Sequence, residues 1–504
     1  MIEDILLGFS FVFQLANFFY AFFGVALGMI VGAIPGLTGN MALVVLIPFT
    51  FYLNPIPAIA MLMGVVKGSY FGGSVPAILF NMPGTPEAMP TTLDGYPLTQ
   101  QGKAGKALKM ALYASTSADV LSDFVLFFLA APVAALALMI GPPEYTMIIL
   151  FSLIIVGIAG SKDNLVKGLI AVGIGLFLAT IGTDPLSGKM RFTFGYDDMM
   201  AGLELIPVLI GLLIVAEVFV QLENKKSREE ENQLSLHKDN IDYKSENHKV
   251  SKNEFKRCVP AILGGFWIGS LMGMIPGIGA TVAAYLGYSN AKRVSKNPEL
   301  FGKGNLEGVA GSEAGNSAVS GPNLIPLITL GIPGNLAAAL ILGAFMVHGI
   351  VPGPMFMDQH APMFYALVTL LILSNIFTFI IGSFFVKYVR FLIYIPEKIL
   401  YPIIMTFGVI GSYIFRSNWF DVISMAVIGI LGYFLKKFKI PILPLLIAFV
   451  LGHAAETRMR QALLISGGDF LVFFKKPISL FFFILIIIYV IVLVRAKMLT
   501  KRKN

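Results

Sequence analysis

Residues 24–40 read GVALGMIVGAIPGLTGN, and residues 265–281 read GFWIGSLMGMIPGIGAT. Gly24, Gly28 and Gly32 recur as Gly265, Gly269 and Gly273, and Ile34-Pro35-Gly36 recurs as Ile275-Pro276-Gly277, each 241 positions later. Glycines four apart share one helix face and let a second backbone approach closely. The Pro-Gly pair that follows then breaks the helix. This break falls inside an apolar segment, and lipid cannot satisfy the backbone groups it frees. A duplicated, deliberately interrupted membrane helix is therefore the constraint that any fold of this chain must meet.

Composition supports the membrane assignment. Hydrophobic residues are 56% of the 504 and charged residues only 13%, against about 25% charged in soluble domains. Apolar stretches at Ile5–Ile34, Ala201–Gln221, Phe364–Val386 and Ile478–Val494 reach the roughly 17–25 residues of a spanning helix. The expected class is an all-α polytopic membrane protein with about 12 or more membrane segments. Its opening Met-Ile-Glu-Asp has no basic n-region, so the first apolar run reads as a true span and not a cleaved leader. The formal charge of +8 sits in short loops and the tail, where it concerns orientation and headgroups; no nucleic acid is implied. Cys258 is the single cysteine and the five histidines are scattered, which argues against a disulfide or a zinc site.

A second break repeats as well. Pro76, Ile78, Pro83 and Gly84 match Pro326, Ile328, Pro333 and Gly334 at a spacing of 250, nine residues more than the first spacing. The chain accordingly divides into a first membrane repeat (1–222), a hydrophilic cytoplasmic linker (223–256), a second repeat (257–470), and a terminal helix with a basic tail (471–504). Basic loops then distinguish parallel from inverted copies. Lys103, Lys106 and Lys109 follow the second break of the first copy, whereas the matching Val351–Pro362 has no Lys or Arg. In the second copy Lys292, Arg293, Lys296 and Lys303 follow the first break instead. Positive charge swaps sides, as inverted topology requires, with Lys189, Arg191, Lys475 and Lys476 as exceptions. The basic tail, from Arg495 to Lys503, places the C-terminus in the cytoplasm.

A broken helix presents free N–H groups at one half-helix start and free C=O groups at the other half's end. The N–H ends attract carboxylates, and the C=O ends can coordinate sodium. Around the first break lie Gly36, Thr38 and Asn40. Ser74, Asn81, Gly84 and Thr85 surround the second. In the second copy the corresponding candidates are Gly277, Thr281, Asn316, Ser317, Gly334 and Asn335. These small polar residues suit an anion with carboxyl or hydroxyl groups; the plainer alternative is that they pack helices. Lys67 lies in a glycine-rich apolar span, where it either pairs with a carboxylate, meets an anionic substrate, or snorkels to the interface. Glu313 either binds a coupling cation or proton, or accepts from freed backbone N–H groups. Asp94 reads as a loop cap, and Glu456 with Arg460 as a structural i,i+4 ion pair. No cofactor is called for beyond a coupling sodium ion or proton.

The breaks and their surroundings resemble the TctA family, the large membrane subunit of tripartite tricarboxylate transporters. The resemblance rests on Gly32-Ala33-Ile34-Pro35-Gly36, Tyr70-Phe71-Gly72-Gly73-Ser74, Asn81-Met82-Pro83-Gly84-Thr85-Pro86 and Asp94-Gly95-Tyr96-Pro97. It continues through Leu330-Gly331-Ile332-Pro333-Gly334 and Gly467-Gly468-Asp469. It implies a permease of the bacterial inner membrane, working with a small four-helix membrane subunit and a periplasmic solute-binding protein. Its substrate would be a small tricarboxylate or dicarboxylate, and its driving force an ion gradient. A passive anion channel and an integral-membrane enzyme are the alternatives. Two positions depart from the family pattern: Lys67 stands where an aromatic is usual. Glu313-Ala314-Gly315-Asn316-Ser317-Ala318 replaces a Glu-Ala-Ala-Asn-Asn-Ala run.

Overall fold

The computed structural model describes residues 2–34, 37–159, 165–184, 186–223, 249–388, 397–414 and 416–501. The chain is helical almost throughout. The first half contains α1 (Ile2–Val12), α2 (Leu15–Gly32), α3 (Gly39–Thr50), α4 (Pro55–Phe80), α5 (Met89–Gln100), α6 (Ala104–Ala137), α7 (Pro142–Ala159) and α8 (Leu165–Ala179), then α9 (Leu205–Glu223). The second half contains α10 (Lys252–Met274), α11 (Gly279–Val294), α12 (Leu306–Ser317), α13 (Leu324–Leu330), α14 (Leu336–Val347) and α15 (Phe356–Tyr388). The remainder is α16 (Glu397–Ile414), α17 (Trp419–Lys437), α18 (Ile442–Ile465), α19 (Val472–Lys475) and α20 (Pro477–Lys501). Among the described residues, 8 helices are long and apolar enough to cross a membrane, so this is a multi-pass helical membrane protein. By contrast α3 and α14 have 12 residues each, about 18 Å of axis, too short for a hydrocarbon core of about 30 Å.

The helices end where the sequence places breaks. α4 stops at Asn81, a left-handed residue with φ 56° and ψ 24°, and α13 stops at Gly331 with φ 65° and ψ 20°. Past each stop the same bond forms, Met82 N–H to the Pro76 carbonyl (3.3 Å) and Ile332 N–H to the Pro326 carbonyl (3.1 Å). These bonds satisfy carbonyls that a helix end leaves open. α10 ends at Met274, and Gly277 (φ 86°) and Gly279 (φ 71°) turn the chain into α11. α2 ends at Gly32 and α3 starts at Gly39; Pro35 and Gly36, the centre of that expected break, lie outside the described residues.

The glycine faces pack as their spacing predicts. A Cβ on Gly24, Gly28 or Gly32 would strike the backbone carbonyl of Met61, Val65 or Ser69 on α4. A Cβ on Gly265, Gly269 or Gly273 would strike the carbonyl of Gly311, Gly315 or Val319. The first three glycines map on the second three at 241 positions, and their three partners map at 250. Three backbone contacts thus recur in register in the two copies.

One expected span is corrected. Ile5–Ile34 was expected to be a single crossing, but it is two helices, α1 and α2. The Asn17 side chain donates to the Phe11 carbonyl at 2.6 Å, which takes up a carbonyl at the end of α1 and turns the chain. The linker expected at 223–256 has residues 224–248 outside the described set. At its far end Ser251 and Glu254 form a reciprocal capping box that starts α10, as the Ser-x-x-Glu pattern favours.

The helices group into two compact units, Met1–Ala134 with Leu205–Lys436, and Ala135–Glu204 with Lys437–Asn504. The second unit packs α8 on α18, where a Cβ on Gly175 would meet the Leu445 carbonyl. It also holds the chain's one described β-hairpin, in which Gly182 pairs with Arg191 and Thr183 with Met190. There Arg191 contacts Glu456 at 2.7 Å and Asp184 at 3.4 Å, while Arg460 contacts Asp184 at 2.7 Å and Glu456 at 3.0 Å. The expected Glu456–Arg460 pair exists, within a four-charge network that staples hairpin to helix.

Candidate functional site

The centre of the first unit is a buried polar column built on α4. Gly64, Gly68 and Gly72 turn one face of that helix to α2, which leaves Lys67, Tyr70 and Ser74 on another face by helical spacing. Lys67 is 2% exposed. Its ammonium donates to Asp119 Oδ1 at 2.8 Å, to Asp123 Oδ2 at 2.9 Å and Oδ1 at 3.0 Å, and to Ser320 Oγ at 3.2 Å. Ser320 Oγ also donates to Asp119 Oδ1, and Asn375 on α15 donates to Asp123 Oδ2 at 2.8 Å. Of the three readings open for Lys67, the geometry selects pairing with carboxylates.

Glu313 forms a second rung. Ser74 donates to its Oε1 at 2.6 Å, Thr91 to the same oxygen at 2.5 Å, and Ser115 to Oε2 at 2.9 Å. Its partners are therefore hydroxyls from α4, α5 and α6, and not freed backbone N–H groups. Both rungs use α4, α6 and the α12 segment. Lys67 and Ser74 are seven residues apart on α4, roughly 10 Å along a helix; Glu313 lies on α12 and Ser320 in the turn beyond its end. On α6 the order is reversed: Ser115 serves the Glu313 rung, Asp119 and Asp123 the Lys67 rung. Helices α4 and α6 accordingly run antiparallel past the column.

The small polar candidates distribute around these rungs. Asn316 and Ser317 follow Glu313 by about one turn of α12 and are buried; neither Asn316 amide atom nor Ser317 Oγ has a hydrogen-bond partner among the described residues. Asn335 caps α14 by accepting from Ala338 N–H at 2.9 Å, and its Oδ1 also accepts from Asn323 Nδ2 at 2.9 Å. Gly277 N–H donates to the Gly334 carbonyl at 2.7 Å, and Gly84 N–H to the Gly73 carbonyl at 3.0 Å. Thr85 is buried against Gly73. Thr38 caps α3 by accepting from Met41 N–H at 3.3 Å, with Asn40 half-buried in the turn that follows. Thr281 is half-buried at the start of α11, and Asn81 is exposed at the left-handed end of α4. Gly36 lies outside the described residues.

The two copies meet here. Tyr70 packs in one buried apolar cluster with Ala280, Ala283 and Val319, and the Pro86–Ala88 turn packs on α11. Asp94 on α5 accepts from the N–H groups of Gly302, Gly304 and Asn305 at 2.9, 2.9 and 2.8 Å. Gly302 (φ 81°) and Gly304 (φ 100°) supply the left-handed backbone that aims these amides at one carboxylate. Asp94 is thus the loop cap expected, joining first-copy helix to second-copy loop. A cavity of about 20 Å³ adjoins the Lys67 rung, bordered by Lys67, Tyr70, Ser320, Asn323 and Ala337.

Asp119, Asp123, Thr91, Ser115, Ser320 and Asn375 did not stand out in the sequence. Two aspartates one helical turn apart inside the apolar 111–140 stretch were the available signal, since buried carboxylates need a cation.

The chain matches the tripartite tricarboxylate transporter TctA family over residues 18–447. It is 35% identical over 502 residues, all of this chain and 98% of the relative, to the uncharacterized 52.8 kDa protein in the TAR-I ttuC' 3' region of Agrobacterium vitis. It is 39% identical over 234 residues, 46% of this chain and 97% of the relative, to the uncharacterized protein in the TAR-II ttuC' 3' region of the same organism. No solved structure matches the chain.

Proposed function

Because the chain belongs to the tripartite tricarboxylate transporter TctA family, we propose that it is the permease of a secondary, binding-protein-dependent system that takes up small tricarboxylates or dicarboxylates. The family match over residues 18–447 carries this reading. It is a transporter and not an enzyme, set in the bacterial inner membrane with its C-terminus in the cytoplasm. Its partners are a small four-helix membrane subunit and a periplasmic solute-binding protein, which hands over the anion.

The substrate carboxylates are received at half-helix starts near Gly36–Asn40, Gly84–Thr85, Gly277–Thr281 and Gly334–Asn335. The amides of Gly84 and Gly277 now donate to the carbonyls of Gly73 and Gly334, so substrate binding exchanges those bonds for bonds to carboxylate. A sodium ion or proton stabilises the loaded state, with Glu313 as the protonatable group. The two copies are inverted and move relative to each other to expose the site alternately.

The test is uptake of labelled citrate, malate and succinate by cells expressing this chain with the small membrane subunit and the binding protein. Accumulation of at least one carboxylate should require all three proteins. Accumulation that is unchanged without the binding protein would refute binding-protein dependence, and none with any carboxylate would refute the substrate class.

A further inference from the structure

Four oxygens from α6 and the turn after α12 surround the Lys67 nitrogen at 2.8, 2.9, 3.0 and 3.2 Å. An ammonium has three N–H bonds. Four oxygens at these distances therefore form the shell of a compact charge, not a one-to-one set of hydrogen bonds. Two carboxylates and a hydroxyl are the oxygen donors that hard cations take. The Asp123 carboxylate is held in place from behind by Asn375 at 2.8 Å, as the ligands of a bound ion are.

Two further observations point the same way. The adjoining cavity of about 20 Å³ is large enough for one water-sized occupant. It is bordered by Asn323, which is 4% exposed and whose Oδ1 has no hydrogen-bond partner among the described residues. Lys67 also has a counterpart 250 positions later, Ser317, a buried neutral side chain in an otherwise equivalent helix contact. Packing of this helix face does not itself demand a positive charge.

We propose that the cage of Asp119, Asp123 and Ser320 is a monovalent-cation site filled by a tethered ion, the Lys67 ammonium. The wild-type chain then takes neither sodium nor potassium at this position, and shortening Lys67 opens the cage to a mobile cation.

The test is thermal unfolding of the purified full chain in sodium, potassium, methylammonium or N-methylglucamine chloride at one ionic strength. Wild type, its cage already filled, sets the reference response to each of the four salts. Lys67→Ala should unfold lower in N-methylglucamine and rise by roughly 2–4 °C as a small cation goes from about 1 to about 100 mM. If Lys67→Ala does not fold, K67A/D123N, with the formal charge of wild type and the Asp119 and Ser320 oxygens still in place, serves instead and should show a rise in the same direction, smaller for the lost carboxylate but larger than any in wild type. The proposal is overturned if the folded variants respond to the small cations no more than wild type does. It is equally overturned if neither variant folds in any of these salts, because a cation cage must be refillable. Since the readout is an unfolding temperature, this outcome is independent of which solute the protein carries.

Discussion

At the residue scale, the strongest local commitment is the Lys67 rung, because removing one partner of a buried ion pair strands the others. Lys67→Met should destabilise the protein by about 3–5 kcal/mol, measured by unfolding in N-methylglucamine buffer. K67M/D119N/D123N, which removes all the charges together, should recover most of that loss. Glu313 is a different case, since it accepts from three hydroxyls. Glu313→Gln keeps the shape but weakens charge-assisted bonds, for about 2 kcal/mol of stability, and should abolish gradient-driven uptake if Glu313 carries the coupling proton. Uptake at the wild-type rate would remove Glu313 from the mechanism. Lys67 and Glu313 were legible in the sequence because a charge in an apolar span stands out. Thr91, Ser115 and Ser320 were not, since a hydroxyl in a helix is cheap wherever it points and only the fold shows which carboxylate it faces.

At the element scale, the duplicated glycine faces set how closely helices approach. Gly28→Leu would drive a side chain into the Val65 carbonyl, and Gly269→Leu into that of Gly315. Both should lower the unfolding temperature by a similar amount, whereas Gly173→Leu, where a Cβ meets nothing within 4 Å, should have a smaller effect. Unequal losses at Gly28 and Gly269 would mean that the copies do not bear load alike. The hairpin of the second unit gives a pH prediction. Asp184 accepts from the Ser187 and Leu186 backbone N–H groups and pairs with Arg460, and the Ser187 contact leads in holding its carboxyl well below the usual range. A depressed carboxylate adds stability that is complete above its unfolded pKa and lost as pH falls toward the folded value. Asp184→Asn should therefore narrow the gap between neutral and acid unfolding temperatures, and an unchanged gap would contradict the assignment. Helix ends at Asn81, Gly331 and Gly277 were legible because Pro, Gly and Asn act through local backbone chemistry. The split between α1 and α2 was not, because it depends on the Asn17 amide reaching back to Phe11, a contact that hydropathy does not register.

At the scale of the whole molecule, two copies of one interrupted-helix unit meet around a buried column of charge. The copies were readable from two offsets in the sequence, and the same offsets relate glycine contacts, helix stops and post-helix bonds in the fold. The column was readable only in part, because it draws on α6 and α15, outside the repeated motifs. Coupling follows from this arrangement if Glu313 takes up a proton, or a sodium ion binds nearby, whenever the half-helix starts receive an anion. The most direct measurement is labelled-carboxylate uptake into proteoliposomes containing this chain, its small membrane partner and the binding protein, with sodium and proton gradients imposed and then collapsed. Accumulation against the carboxylate gradient that stops when both ion gradients are dissipated is the predicted result. Flux that continues unchanged after their collapse would contradict it and identify a passive pore.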